Sequence, residues 1–333
     1  MGRYVIRRLL LFIPTLLGSL LLLHYLVVLG IQIRGNPARA FFGERTPSPE
    51  MLAAVKRLFN TDDPCLDRTG DPCLGLFVER LGNLAVGNFG TDYNGRPVTE
   101  IVGEALPVTV RLAVMAIIVQ ILIGLLAGML AGLRSGSFID YVVKISTVLA
   151  ISVPVFVLGG VIQIILAPIG KWMRGEDWVS DTMLALVSVT YKHNWPWLSL
   201  IFPAIVLAAL GLSTTARLTR TSIMENMRGD YVRTATAKGL PRHRVIGVHT
   251  LRNSLIPVVT DLGLAFGTLI GGAIVTETIF NVPGVGSEII EAVQRNEGPV
   301  VIPLVTFLVI VYLVVNLLVD VLYAVLDPRI RLD

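Results

Sequence analysis

Leu112-Ala-Val-Met-Ala-Ile-Ile-Val-Gln-Ile-Leu-Ile-Gly-Leu-Leu-Ala-Gly-Met-Leu-Ala-Gly-Leu133 runs for 22 residues without a charged side chain. Crossing about 30 Å of hydrocarbon takes about 20 residues of helix, so this stretch alone is long enough to span a bilayer. Leu9–Ile31, Ile145–Gly170, Leu198–Ala216, Asn253–Thr276 and Gly298–Val319 meet the same condition. Within the six, only His24 and Asp261 carry or change charge near neutral pH. The whole 333-residue chain agrees: 53% of it is hydrophobic and 16% charged, where soluble proteins carry about a quarter charged residues. An ordinary soluble enzyme is excluded, and the expected fold is an all-α integral membrane protein with six transmembrane helices.

Orientation follows from lysine and arginine in the short loops. Arg3, Arg7 and Arg8 place the N-terminus in the cytoplasm, and alternation puts the Gly132–Lys144 and Arg217–Arg252 loops on that side. The second of these carries Arg217, Arg220, Arg228, Arg233, Lys238, Arg242, Arg244 and Arg252 against Glu225 and Asp230. The opposite face, Glu277 to Glu297, holds four glutamates against Arg295, and Arg329 and Arg331 return the C-terminus to the cytoplasm. The net charge of +4 therefore reads as helix orientation and not as a nucleic-acid footprint. The first apolar run is too long for a secretory signal and precedes no small-x-small cleavage site, so it is expected to remain attached.

The chain divides into a tail and first span (1–31), an extracytoplasmic cap (32–106), a membrane core (107–326) that includes the 217–252 loop, and a cytoplasmic tail (327–333). In the cap, Thr46-Pro-Ser-Pro-Glu50 starts a helix with Ser48 as cap and Pro49 in the first turn. Cys65 and Cys73 end a short turn-rich loop on the oxidising face, which predicts a Cys65–Cys73 disulfide over the alternative of two free thiols.

The 217–252 loop specifies a helix with both ends marked. Asp230 caps it, Tyr231 to Lys238 make about two turns, Gly239 takes the left-handed position that ends it, and Leu240-Pro241 opens a second helix. Val232, Ala235 and Leu240 fall near one face, small enough to enter a partner's groove, with Arg233 and Lys238 beside them. A basic helix lying on anionic headgroups fits the same composition.

Resemblance separates those two readings. Thr234-Ala-Thr-Ala-Lys-Gly239, with Pro257 eighteen residues after the glycine, resembles the EAA loop of ABC importer permeases. Arg7-Arg-Leu-Leu10, Gly87-Asn-Phe-Gly-Thr91, Arg96-Pro-Val98, Ser152-Val-Pro-Val-Phe156, the run from His249 to Pro257, Glu277-Thr-Ile-Phe-Asn-Val-Pro-Gly-Val-Gly286 and the run from Asn316 to Arg329 are similar to the B-type permease subunits of oligopeptide, dipeptide and nickel importers, in that family's order. Thr236 stands where the family usually has arginine, and the Cys65–Cys73 stretch looks like an insertion. The resemblance implies a pore formed with a homologous second permease, two cytoplasmic ATPases that bind ATP and Mg, and an extracytoplasmic substrate-binding protein. By matching position, Ala235 and Gly239 are the central ATPase-coupling residues, with Val232, Thr234, Lys238 and Leu240 around them. It implies import of small peptides, with a nickel chelate or another small solute as the alternative.

The sequence holds no G-x-x-x-x-G-K-[ST] and no catalytic or zinc-binding constellation, so no ATPase, cofactor or metal site is expected in this chain. Gly124, Gly128 and Gly132, and Gly263, Gly267 and Gly271, recur every four residues and read as packing seams. Pro154 and Pro257 loosen the third and fifth spans. Asp261 lies two turns into the fifth span, where an ion facing lipid costs roughly 2–3 kcal/mol or more, so it faces protein or water. It is a candidate pathway residue, and also the residue a proton-coupled secondary transporter would use. Glu277, at the outer end of that span, either lines a gate or is simply exposed. His24 reads as an interhelical hydrogen-bond partner.

Overall fold

In the computed structural model, residues 2–40, 42, 45–58, 61–92, 94–176, 178–295 and 297–326 are described. Among them the helices of eight residues or more are α1 (Gly2–Arg34), α2 (Pro49–Leu58), α3 (Leu74–Ala85), α4 (Val98–Leu133), α5 (Phe138–Ser152), α6 (Val155–Met173), α7 (Ile201–Met227), α8 (Asp230–Ala237), α9 (Arg252–Ile279), α10 (Val285–Gln294) and α11 (Gly298–Leu326). Six helical segments among the described residues are long and apolar enough to cross a membrane: Val5–Ile33, Val98–Leu133, Val155–Met173, Ile201–Asn226, Arg242–Ile279 and Val300–Val321. Arg329, Arg331 and the 327–333 tail lie outside the described residues.

Two boundaries differ from the sequence reading. The third span is not continuous over Ile145–Gly170: α5 stops at Ser152, Val153 is extended (φ −92°, ψ 120°), and α6 starts after Pro154. Proline supplies no N–H and disfavours helical geometry in the residue before it, so here Pro154 ends a helix and does not merely loosen one. The second span begins at Val98, not Leu112. Packing holds its first turns in place, because Val98, Ile101, Val102 and Ala105 bury against Val285, Ile289, Ala292, Val300 and Leu304 of α10 and α11. Arg96 adds ion pairs to Glu100 at 3.2 Å and Glu104 at 2.8 Å along the same helix.

The chain forms two compact units, to both of which α4 and α11 contribute residues. One comprises Gly2–Val108 and Pro283–Leu317. In it Ser48 Oγ accepts from the Met51 N–H at 3.2 Å, capping α2 as expected. Cys65 and Cys73 are disulfide-bonded, with Cα atoms 5.6 Å apart. Leu66, Cys73 and Leu76 bury against Val28 and Ile31 of α1. Gln32 holds the same loop, donating to the Asp71 carbonyl at 2.9 Å and accepting from the Gly70 N–H at 3.0 Å. His24 lies 3.2 Å through Nε2 from the carbonyls of Pro72 and Cys73, and 3.1 Å through Nδ1 from Arg80. Carbonyls only accept and guanidinium only donates, so the ring is the Nε2–H tautomer, pinning α1 to the disulfide loop and α3.

The other unit, Thr109–Val282 with the end of α11, is built around α7. Leu200, Ala204, Val206, Leu207, Ala208, Ala216 and Ile223 are all fully buried. Gly124, Gly128 and Gly132 of α4 form the expected seam, lying directly against Thr215, Thr219 and Ile223 of α7. On α9 the close approach to α7 falls at Gly272 and not at Gly271, which meets nothing within 4 Å. Hydroxyl bonds add to the packing: Ser213 donates to the Thr147 carbonyl at 2.8 Å, and Ser222 to that of Ser254 at 2.9 Å. Where α5 meets α7, the fully buried Asp140 carboxylate takes a two-pronged bond from Arg220, at 2.5 and 3.0 Å, and an ion pair from Lys144 at 3.0 Å. These donors, Arg220 foremost, together with the Gly136 N–H, hold the Asp140 carboxyl well below the usual carboxylate range despite its burial.

Candidate functional site

The basic loop folds as a helix, a sharp turn and a second helical segment joining α7 directly to α9. After α7 ends at Met227, Gly229 takes the N-cap position in an extended conformation, and Asp230 is the first residue of α8. The cap assigned to Asp230 is therefore corrected: its carboxylate is exposed, placed to favour the positive end of the helix without capping it. Gly229 suits the entry because a Cβ there would stand 2.7 Å from Tyr231 Cε1.

The far end of α8 is as expected. Gly239 is left-handed at φ +78°. Its N–H donates to the Thr236 carbonyl at 3.0 Å, and the Leu240 N–H reaches back to Ala235 at 3.3 Å. This pair of bonds, with a hydrophobic residue following the glycine, is the Schellman termination. Pro241 then caps the short helix Arg242–Arg244, which runs through a π-helical stretch, Val245–Leu251, into α9.

Burial corrects the face. Val232 and Ala235 are buried against Val245, with Leu240 packed on them, so they form a small core beneath α8 and are not a knob offered to a partner. Val245 lies beyond the proline turn, and the fold back of the second segment covers that apolar face. The exposed surface is Tyr231, Arg233, Thr234, Thr236, Ala237, Lys238 and Gly239. Thr234 and Thr236 turn their hydroxyls back onto the carbonyls of Asp230 and Val232, at 2.8 and 2.9 Å, which leaves methyl groups, Arg233 and Lys238 facing outward.

Within the spans, Asp261 of α9 is half-buried, and its Oδ2 accepts from Thr215 Oγ1 of α7 at 3.4 Å. Thr215 Oγ1 in turn accepts from Gln120 Nε2 of α4 at 2.9 Å. Neither Gln120 nor Thr215 stood out in the sequence, although a lone amide inside an apolar span is itself a signal. Glu277 is fully buried, and Thr109 donates to its Oε1 at 2.7 Å, which removes the reading of simple exposure. The described residues hold no group of three His, Cys, Asp or Glu side chains able to bind a metal.

Residues 120–332 match the family described as binding-protein-dependent transport system inner membrane component. The chain belongs to that family. It is thus a multi-pass inner-membrane transport component of the ABC permease type, one subunit of a larger transport system. Its relatives include the dipeptide transport system permease protein DppB of Alkalihalophilus pseudofirmus, 34% identical over 98% of this chain and 99% of the relative. The di/tripeptide transport system permease protein DppB of Pseudomonas aeruginosa is 36% identical over 98% of each chain. The dipeptide transport system permease protein DppB of Escherichia coli K12 is 35% identical over 99% of each. Similarity at this level along the full permease covers the α8 elbow and every span.

Proposed function

We propose that this permease forms half of the pore of an ATP-driven importer for small peptides, and that α8 receives the closure of a cytoplasmic ATPase. The observation that carries the coupling role is the elbow itself. Its outer surface is exposed among the described residues, its inner surface is cemented by Val232, Ala235, Val245 and Leu240, and its two ends continue into α7 and α9. A push on α8 therefore passes to two helices that pack along each other in the core. The peptide substrate rests on the full-length relatives that carry peptide or dipeptide in their names.

In this reading a homologous second permease completes the pore, two ATPase subunits bind ATP and Mg²⁺, and an extracytoplasmic binding protein delivers the peptide. Thr234, Lys238 and Gly239 form the docking surface, while Val232, Ala235 and Leu240 support it from beneath. Gly239→Asp tests the arrangement in proteoliposomes holding the complete transporter and labelled dialanine. A side chain at Gly239 meets nothing within 4 Å inside the chain, so folding is perturbed only by left-handed backbone strain of about 1–2 kcal/mol. ATP-driven uptake is expected to fall at least about tenfold, a loss of about 1.4 kcal/mol or more in coupling, with membrane abundance unchanged. Uptake at the unaltered rate refutes the coupling role, and ATP-driven uptake of a nickel chelate but not of dialanine refutes the substrate.

A further inference from the structure

A recess of about 220 Å³ opens between α7 and α9, and its walls include Gln120, Leu210, Gly211, Thr214, Asp261 and Thr268. It lies inside a single unit and at a depth where all three contributing helices are membrane-spanning. The hydrogen bonds fix its chemistry. The Asp261 carboxylate only accepts, so the single Thr215 hydroxyl proton points to it. Thr215 must then accept from Gln120, so the amide NH₂ faces Thr215 and the amide oxygen is left over. That oxygen, Oε1, is fully buried and has no hydrogen-bond partner among the described residues. Gly211 makes the room, since a Cβ there would stand 2.3 Å from Gln120 Nε2. The amide is sealed beneath Gly211, so the acceptor that the recess presents is the half-buried Asp261 carboxylate, which no lysine or arginine of the described residues pairs with.

Leu210, Thr214, Leu264 and Thr268 around the recess are exposed, so the carboxylate looks outward from the flank of the helix bundle. A carboxylate facing lipid at this depth is strongly disfavoured, so this flank faces protein or water, as the side of a translocation pathway does. The recess is smaller than the roughly 300–1,000 Å³ of a site that encloses a whole small molecule. It has room for one end of a longer substrate and not for the whole of it. A carboxylate with one oxygen held by Thr215 and the other open to the recess selects a compact cation that donates hydrogen bonds, which describes a primary ammonium.

We propose that Asp261, held in place by the buried Gln120–Thr215 hydrogen-bond chain, forms a transient subsite for the α-ammonium group of the peptide during translocation, its carboxylate pairing with that charge. The proposal rests on the peptide-importer reading above and adds a named end of the substrate to it. The carboxylate is charge-complementary to a free amino terminus and has nothing to offer an N-acetylated one.

The test uses the complete transporter in phosphatidylcholine proteoliposomes, a lipid without primary ammonium groups. Thr214→Cys at the recess mouth supplies the only free thiol of this chain, because Cys65 and Cys73 are bonded to each other. Labelling rates are measured with a cationic aminoethyl and an anionic sulfonatoethyl methanethiosulfonate, with and without dialanine or N-acetyl-dialanine. Dialanine is expected to slow the cationic reagent and N-acetyl-dialanine to leave it unchanged. Adding Asp261→Asn is expected to lower the cationic-to-anionic rate ratio about tenfold, as for loss of one charged partner. Equal protection by both peptides, or none by either, overturns the subsite, as does an unchanged ratio in Asp261→Asn. The protection arm keeps Asp261 and so decides the matter even where Asp261→Asn does not assemble. Uptake of dialanine is measured in parallel on the unaltered transporter: its absence overturns the peptide-importer reading and the subsite with it, whereas its presence with unprotected labelling overturns the subsite alone.

Discussion

Replacing Gly128 with alanine puts a methyl carbon 2.5 Å from Thr219 Cβ and 2.6 Å from the Ala216 carbonyl oxygen. Unstrained carbon contacts lie at about 3.5–4.0 Å, so α4 and α7 must part locally by about 1 Å. The carbonyl belongs to the backbone of α7 and cannot rotate away. Overpacking of this kind costs about 1–3 kcal/mol, and because the clash meets backbone the upper half of that range is expected. The neighbouring glycines grade the effect. At Gly132 the nearest atoms are the Arg220 carbonyl and Ile223 Cβ, both at 3.0 Å, and at Gly124 they are Thr215 side-chain carbons at 3.0 and 3.1 Å, which yield by small shifts. At Gly271 nothing lies within 4 Å, so alanine there adds no clash and gains helix propensity of about 0.5–1 kcal/mol. The assay is a heat ramp on the purified transporter in nanodiscs, with the surviving assembled fraction read by size-exclusion chromatography. The expected order of destabilisation is Gly128→Ala, then Gly132→Ala, then Gly124→Ala, with Gly271→Ala at or above the unaltered protein. A Gly128→Ala protein as stable as Gly271→Ala refutes the α4–α7 seam, and with it the placement of Gln120 beside Thr215.

Asp140→Asn breaks a fully buried carboxylate's bonds to Arg220 and Lys144; loss of one buried partner costs about 3–5 kcal/mol, discounted here to about 2–3 because Arg220 and Lys144 keep 18% and 43% exposure and rehydrate. Because the folded Asp140 pKa is depressed, its stabilisation is full above the unfolded value of about 4 and is lost as pH falls below it. Acid titration of thermal stability should therefore show a loss below about pH 4 that is shallower in Asp140→Asn, and equally steep curves contradict the assignment. Reduction of the Cys65–Cys73 bond releases a nine-residue loop whose closure contributes about 2–3 kcal/mol of local order. Cys65→Ser with Cys73→Ser should accelerate tryptic cleavage at the exposed Arg68 without changing membrane insertion, and unchanged cleavage would show that Gln32 and His24 hold the loop unaided.

The elbow shows how far local chemistry carries. Gly239 was legible because only glycine adopts φ near +80° without strain, and Pro241 because proline starts helices and cannot continue them. Which side of α8 faces outward was not legible. Val232 and Ala235 make an apolar stripe that suits a partner's groove as well as an internal core, and the residue that decides between them, Val245, comes after the turn. Asp230 likewise has the composition of a cap, but the chain enters α8 one residue earlier at Gly229. Of the Gln120–Thr215–Asp261 chain, the sequence marked Asp261 alone. Thr215 and Gln120 are 46 and 95 residues apart from their respective partners Asp261 and Thr215, and a single amide or hydroxyl in an apolar run carries no periodicity to detect.

The amino-acid order by itself determined that six stretches are long and apolar enough to cross, the direction expected from their flanking charges and the ends of the elbow, because bilayer thickness, the cost of moving arginine through it and backbone geometry act on segments one at a time. Only the tertiary structure decided that Pro154 divides the third span from α5, that α4 begins at Val98, that the elbow's apolar face points inward, and that Gln120, Thr215 and Asp261 meet. Each of those outcomes is set by what stands opposite a side chain, and distant segments acquire neighbours only when helices pack.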